Sequence, residues 1–560
     1  MDKNFYFLKH PYIFVYIIGS IIILFSIWLI GDNGEKEGND LNLPKSSITK
    51  FDVGLPDTDW RLMGFVNAYK TQGQSDLIYL RDNEISTYRY FNKIKRYQKY
   101  QSIFINLNNK NDVVHEITPI DWNGKGYNDL MIICRNGSGI YNALILKNEN
   151  GEFNGDLIDL KIRSKTIPFI FDFSHDLIDD ILYLDADLNK WKLYKKQKEF
   201  LNDRNIYGGF GVAQLTDKNG INFIAKTENS TTKTEFSIFE FKNNNWKLLY
   251  KFNAPPLSGE IAIADFDKNG LLDIVFPVYP KGGDSYLCYM FNSKNGFKND
   301  TTCSNKDSSI KLIIPNIIKD IKPQVNDITL DGYPSIALGI QDKNGVSTQL
   351  ILNQQCKNCG TREIIPVIKT DLILPGLGGF FDVFQDGSID FITNKGSFIS
   401  TLAEKSFFLK ATALNELCLG KCKKHSKIEH LSSIYNGATF HIFYTDKQGF
   451  KHNSTCVQHA TSGMSEQYCI FGLGENVHYV EELTVVSYDK TSYRWILPDS
   501  FIFSATEKHY RIFLHYQIQG FYVLLCFVAL LLILGLFVLI YSQKEDAEDR
   551  KEADEMLPIF

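Results

Sequence analysis

Apolar positions along this chain of 560 residues follow three patterns. Residues 12–30 are almost wholly apolar, and residues 521–541 carry no charge. Between them, apolar runs of three to five residues recur at 77–80, 130–134, 181–184, 223–225, 274–276, 336–338 and 391–393. Each follows a loop containing Asp, Asn or Gly, and short apolar runs bounded by turn residues predict strands. The third pattern is alternation, in 438–444 and 479–487, which also reads as strands.

The loops before the short runs are copies of one another, beginning at 67, 121, 172, 214, 265, 327 and 382. Seven units at intervals of 42 to 62 residues, each a few short strands, predict a closed ring. A small sheet cannot bury both its faces alone, whereas a ring of sheets can, and it leaves only short edges. The expectation is a seven-bladed β-propeller over 46–406. After 407 no acidic repeat follows, so 407–505 is expected to be a β-sandwich between propeller and membrane.

The apolar ends set the compartment. Lys3 and Lys9 precede the first run, so 1–31 is a cleaved secretory signal or an uncleaved signal-anchor. The second run is long enough to cross about 30 Å of hydrocarbon, with Tyr522 and Tyr541 at its ends. It predicts a transmembrane helix at 521–541 and a short charged cytoplasmic tail at 542–560. The expected protein is single-pass type I, at the cell surface or in the secretory pathway, with its ectodomain luminal or extracellular.

The best-preserved loop carries the candidate chemistry. Asp265, Asp267, Asn269 and Asp273 recur on one side of a turn that Gly270 permits. The Leu271 carbonyl adds an oxygen, which makes most of a Ca²⁺ shell. The twelfth loop position is Phe276 rather than Glu and the flanks are β-like, so this is no EF-hand. Weaker copies place Asp172, Ser174, Asp176 and Asp180 in one loop and Asp382, Asp386 and Asp390 in another. The expected cofactor is structural Ca²⁺; an acidic β-turn without metal is the plainer alternative.

Net charge is −5, so no basic surface suggests nucleic acid. Aromatic residues are 14% of the chain, which suits pleated faces. Nine of ten cysteines fall between the apolar runs, and close pairs suit disulfides in an oxidising compartment. The expected pairs are Cys288–Cys303, Cys356–Cys359, Cys418–Cys422 and Cys456–Cys469, with Cys134 free. Zinc at Cys356, Cys359, Cys418 and Cys422 is the sharper alternative, but the spacing matches no standard knuckle. Glycosylation sequons begin at Asn136, Asn229, Asn299 and Asn453.

The Asp-x-Asp-x-Asn-Gly-x-x-Asp loop resembles the FG-GAP repeats of integrin α-chain propellers. The whole chain more narrowly resembles the T-cell immunomodulatory protein family, integrin-α FG-GAP repeat-containing type I membrane proteins. Residues 171–180, 380–390 and 407–411 are similar to that family's blades and the strand after them. Residues 471–483, beginning Phe-Gly-Leu-Gly, and 548–553 carry the rest of the likeness. The resemblance implies an all-β chain: an integrin-alpha-like seven-bladed propeller, a β-sandwich and a C-terminal transmembrane helix. It further implies a cell-surface or secreted protein with roles in immune modulation and cell adhesion. Lys125 stands where the loop pattern has an oxygen ligand, and Ser335 stands at the final Asp, so those loops are expected to be metal-free.

The first functional expectation is an ectodomain whose propeller loops bind a protein partner, an unidentified receptor or a membrane subunit in cis. A secretory-pathway structural or chaperone-like subunit is the second. A propeller-type hydrolase is the third and least supported: there is no His-Glu-x-x-His and no nucleophile elbow with a clear partner. The chain is therefore read as a non-enzyme.

Overall fold

The first strand of the chain pairs with one of the last strands of its repeat region. In this computed structural model Ile48–Phe51 runs antiparallel to Gly396–Ser400, with Ile48 opposite Ser400. The structure describes residues 48–555, apart from 67–74, 123–127, 195–205, 356–363, 416–432, 459–463 and shorter internal stretches. The expected signal segment and the pairs Cys356–Cys359 and Cys418–Cys422 lie outside the described residues.

Seven small antiparallel sheets follow one another along the chain. Their first strands are Arg61–Val66, Val113–Ile120, Phe169–Phe171, Gly211–Ala213, Ala262–Ala264, Gln324–Asn326 and Gly378–Phe381. Each first strand pairs with the strand after its loop; in the fifth sheet Ala264 stands opposite Asp273. The second strands are the short apolar runs of the sequence, and they are buried on both faces: Leu130–Ile133 are at most 1% exposed. Six of the sheets have four strands and the third has three; Ile48–Phe51 is the fourth strand of the seventh.

Hydrophobic cores lie between successive sheets. Met63, Ile78, Ile117 and Leu130 join the first and second. Ile120, Met131, Ile170 and Ile181 join the second and third. Phe171 and Phe223 join the third and fourth, Ile224 and Ile274 the fourth and fifth, and Val275 and Ile336 the fifth and sixth. Gln324–Asn326 lies beside Gly378–Phe381. Another core unites the first and seventh sheets, where Phe65 stacks on Phe381 with centroids 4.6 Å apart.

Two further four-stranded sheets lie beyond residue 406. One contains Phe407–Leu414, Cys469–Gly474, Ser500–Ala505 and Tyr510–Leu514; the other contains Thr439–Thr445, Lys451–Val457, Val480–Val486 and Lys490–Ile496. Leu409, Ala411, Phe440, Leu483 and Ile502 meet in one core between them. The last strand, Tyr510–Leu514, pairs with Ser500–Ser504, beyond the boundary expected at 505. Residues Ser46–Leu514 form one compact unit.

The remaining element among the described residues is a helix, Ile518–Glu555. It is the one described helix long and apolar enough to cross a membrane, from Phe527 onward. It continues without interruption through most of the charged tail.

Candidate metal centre

The loop from Asp265 to Asp273 is a turn built around its own carboxylates. Phe266 and Leu272 are buried and anchor it from beneath, at 0% and 1% exposure. Gly270 has φ of +82°, where a side chain would be strained, and a Cβ there would press on Asn453. Lys268 also adopts a left-handed φ, of +56°. The Asp265 carboxylate accepts from the amides of Asn269 at 3.0 Å and Gly270 at 2.9 Å. Asp273 accepts from the amides of Phe266 at 2.9 Å and Asn292 at 2.7 Å. Carboxylate oxygens of Asp265, Asp267 and Asp273 come within 4.8 Å of one another.

Such a group is unfavourable without a cation. Asp265 and Asp273 are fully buried. Burial, then the charge of Asp267, holds both carboxyls well above the usual range. The Asn269 side chain sits in the same turn: its amide nitrogen contacts Asp267 at 2.9 Å, and its oxygen accepts from the Leu271 amide at 2.7 Å. All five expected donors are therefore in one loop, and the all-oxygen set fits a hard divalent ion. Such an ion would supply positive charge that lets the buried carboxylates ionise.

The same cradle recurs in the other loops, with different neutralisation. Asp172 accepts from the amides of Asp176 and Leu177, and Asp382 from those of Asp386 and Gly387. Ser174 donates its amide to Asp180 at 2.8 Å. Burial raises Asp172 to about 6 and Asp390 to about 8. Among the described residues, neither loop gathers three carboxylates as the Asp265 loop does. In the seventh loop Asp382 already has a cation: the Lys410 ammonium lies 2.9 Å from its Oδ2 and 3.0 Å from Gln385 Oε1. Both partners are at 0% exposure, and Lys410 also sits 3.7 Å from the Tyr468 ring centre. In the first unit Asp76 pairs with Arg89 at 2.8 Å. In the sixth, Lys268 reaches across to the Asp331 carbonyl at 3.0 Å.

The loops do not stand free. Thr455 donates its amide to Asp265 at 3.1 Å and its hydroxyl to the Gly270 carbonyl at 2.8 Å. Asn415 donates to the Leu177 carbonyl, Ser433 to Asp121, and Gly474 to the Leu330 carbonyl. His441 bonds Gln214 at 2.7 Å. All these contacts come from residues beyond 406, so these loops are taken up in an internal interface.

Several of these residues carry no motif: Lys410, Ser433 and His441 meet the loops only through the fold, and Thr455 is marked only as the end of the sequon at Asn453. One signal was available. Asn148 and Asn292 follow the final acids Asp129 and Asp273 at equal spacing and donate their amides to them at 2.7 Å. Asn353 stands almost equivalently to Ser335, and its side chain donates to the Phe266 carbonyl of the preceding sheet.

Disulfides join Cys288 to Cys303 and Cys456 to Cys469, the latter linking the two sheets beyond 406. Cys134 is free and buried, and burial pushes its thiol up to about 12. Asn229, Asn299 and Asn453 are exposed, and Asn136 is partly so.

No protein-family model matches the chain. It is 23% identical over 562 residues to a T-cell immunomodulatory protein homolog of Plasmodium yoelii yoelii, covering 77% of this chain and 80% of that one. A homolog of the same name from Plasmodium falciparum is 24% identical over 382 residues, 53% of each chain. The chain is thus similar to members of the T-cell immunomodulatory protein family. Protein linkin of Caenorhabditis elegans is a further relative, 25% identical over 255 residues, which are 41% of this chain and 42% of linkin. The likeness to the T-cell immunomodulatory protein family expected from the sequence is borne out. Solved structures are less similar. AofleA from Arthrobotrys oligospora has a TM-score of 0.31 at 10% identity, over 57% of this chain and 90% of its own. The exotype rhamnogalacturonan lyase YesX has 0.30 at 13%, over 81% and 88%. Scores of that size carry no argument.

Proposed function

We propose that the chain is a single-pass membrane glycoprotein whose calcium-stabilised ectodomain binds a protein partner in cell adhesion or in immune or host-cell modulation. The ectodomain is a closed seven-bladed propeller capped by a β-sandwich. Closure is supported by the pairing of Ile48–Phe51 with Gly396–Ser400 and by the stack of Phe65 on Phe381.

One observation carries the calcium reading: carboxylate oxygens of Asp265, Asp267 and Asp273 converge within 4.8 Å of one another in the loop that Thr455 contacts. Calcium there is structural. It fixes the loop against the sandwich and takes part in no reaction, and the reading is non-enzymatic. An exterior site of this kind works at a Kd of about 10⁻⁴–10⁻³ M. The partner binds away from the acidic loops. At the opposite ends of the first blades, Arg61, His115 and Arg135 line an open cleft of about 440 Å³.

The test is thermal unfolding of the full chain in detergent, in millimolar calcium and in chelator. Calcium is expected to raise the midpoint of the wild type but not of Asp265→Ala/Asp273→Ala. An equal rise in both chains contradicts the site.

A further inference from the structure

One end of the second sheet beyond 406 is lined with exposed aromatic side chains. Register places Thr445 opposite Lys451 and Val480 opposite Ile496, so these residues share that end. A bridge from Asp446 to Val477 keeps the two strand pairs together there. Around it Phe450 is 67% exposed, Trp495 68%, Leu497 42% and Tyr479 37%. The rings of Tyr479 and Trp495 lie 4.9 Å apart. Trp495 has φ of +60°, an unusual conformation for a bulky residue, and it turns the indole outward instead of into the core. Lys447, Lys451 and Arg494, on the same hairpin and strands, are also exposed.

The path of the chain indicates what covers this end. Ile496 leads through Leu497 and Asp499 into Ser500, and Ser500 pairs with Leu514. The β-unit therefore ends beside its aromatic row. The uncharged stretch begins at 521, and the connecting residues reach at most about 25 Å even when extended. Aromatic rings with an apolar body and a polar edge, interleaved with basic side chains, suit the headgroup layer of a bilayer.

We propose that Phe450, Tyr479, Trp495 and Leu497 form a lipid-facing end of the sandwich that rests in the headgroup region of the membrane, with Lys447, Lys451 and Arg494 towards lipid phosphates. This inference depends on the membrane anchoring proposed above and not on calcium.

The test reconstitutes the full chain in phosphatidylcholine vesicles with and without a lipid carrying a headgroup-region nitroxide quencher. The emission of Trp495 is taken as the wild-type signal minus that of Trp495→Phe. Quenching of this difference by half or more is the expected result. A second probe, Phe450→Trp in the Trp495→Phe chain, is expected to be quenched to a similar degree. If Trp495 emits as a water-exposed indole and resists quenching while the chain floats with vesicles, the inference is overturned and a protein partner becomes the occupant. A chain that does not float with vesicles overturns the anchoring reading itself.

Discussion

In a chain made without N-glycans, since Thr455 also completes the sequon at Asn453, Thr455→Val removes a hydroxyl and keeps the shape of the side chain, so it isolates the bond between sandwich and acidic loop. The wild-type hydroxyl donates to the Gly270 carbonyl at 2.8 Å and bonds His441 Nδ1 at 2.8 Å. The amide of Thr455 still reaches Asp265. Valine leaves the Gly270 carbonyl and the imidazole nitrogen without their partner in a water-poor interface, at about 1–3 kcal/mol for each group. The loop therefore loses about 2 kcal/mol or more of local stability. Since about 1.4 kcal/mol is tenfold, amide exchange at Asn269 and Gly270 should accelerate about 30-fold. Hydrogen–deuterium exchange of a peptide covering 263–276 reads this directly, with 129–135 of the second sheet as the internal reference. Unchanged exchange in 263–276 would refute the claim that Thr455 holds the loop. Equal acceleration in both peptides would refute its local character.

Other substitutions probe the remaining contacts. Lys410→Met should cost about 3–5 kcal/mol in chemical unfolding because it strands the buried Asp382 carboxylate, whereas Lys410→Met/Asp382→Asn should recover most of that; a double variant no better than the single one would remove the charge argument. Phe266→Ala should cost about 3–5 kcal/mol, since its fully buried ring packs edge-on against Tyr289; a loss below about 1 kcal/mol by the same measurement would mean the loop is not anchored from beneath. Burial raises Asp179 to about 8 from an ordinary value of 3.8. The folded chain thus holds a proton there that the unfolded chain has released, and this contribution to stability, full below pH of about 4, is lost as pH rises towards 8. Asp179→Asn should flatten the fall in stability between pH 5 and 8 by about 1 kcal/mol or more per pH unit over part of that range; parallel wild-type and variant profiles would contradict it.

What the sequence made legible follows from local physics. The short apolar runs became second strands because a strand buried on both faces must be apolar throughout, and the loops before them kept a recognisable order of acids. The left-handed backbone of Gly270, Gly332 and Gly387 left its mark as a glycine in each. By contrast, Ile48–Phe51 has no pattern that announces its role: it is mostly exposed and acquires meaning only opposite Gly396–Ser400. The same holds for Lys410. Alternation in Phe407–Leu414 sends Leu409 and Ala411 into the core and leaves Lys410 on the loop side, but nothing local says that Asp382 waits there. Contacts between residues far apart in sequence decide which acidic loop meets a lysine. The loop order alone could not distinguish a loop that gathers three carboxylates from one that has found a lysine.

The most direct test of the account is a density map of the full chain in detergent with millimolar calcium. The account predicts a closed ring of seven blades and an ion bound by Asp265, Asp267, Asn269, the Leu271 carbonyl and Asp273 at about 2.3–2.6 Å. An open series of sheets, or a loop held by hydrogen bonds alone under those conditions, would contradict it.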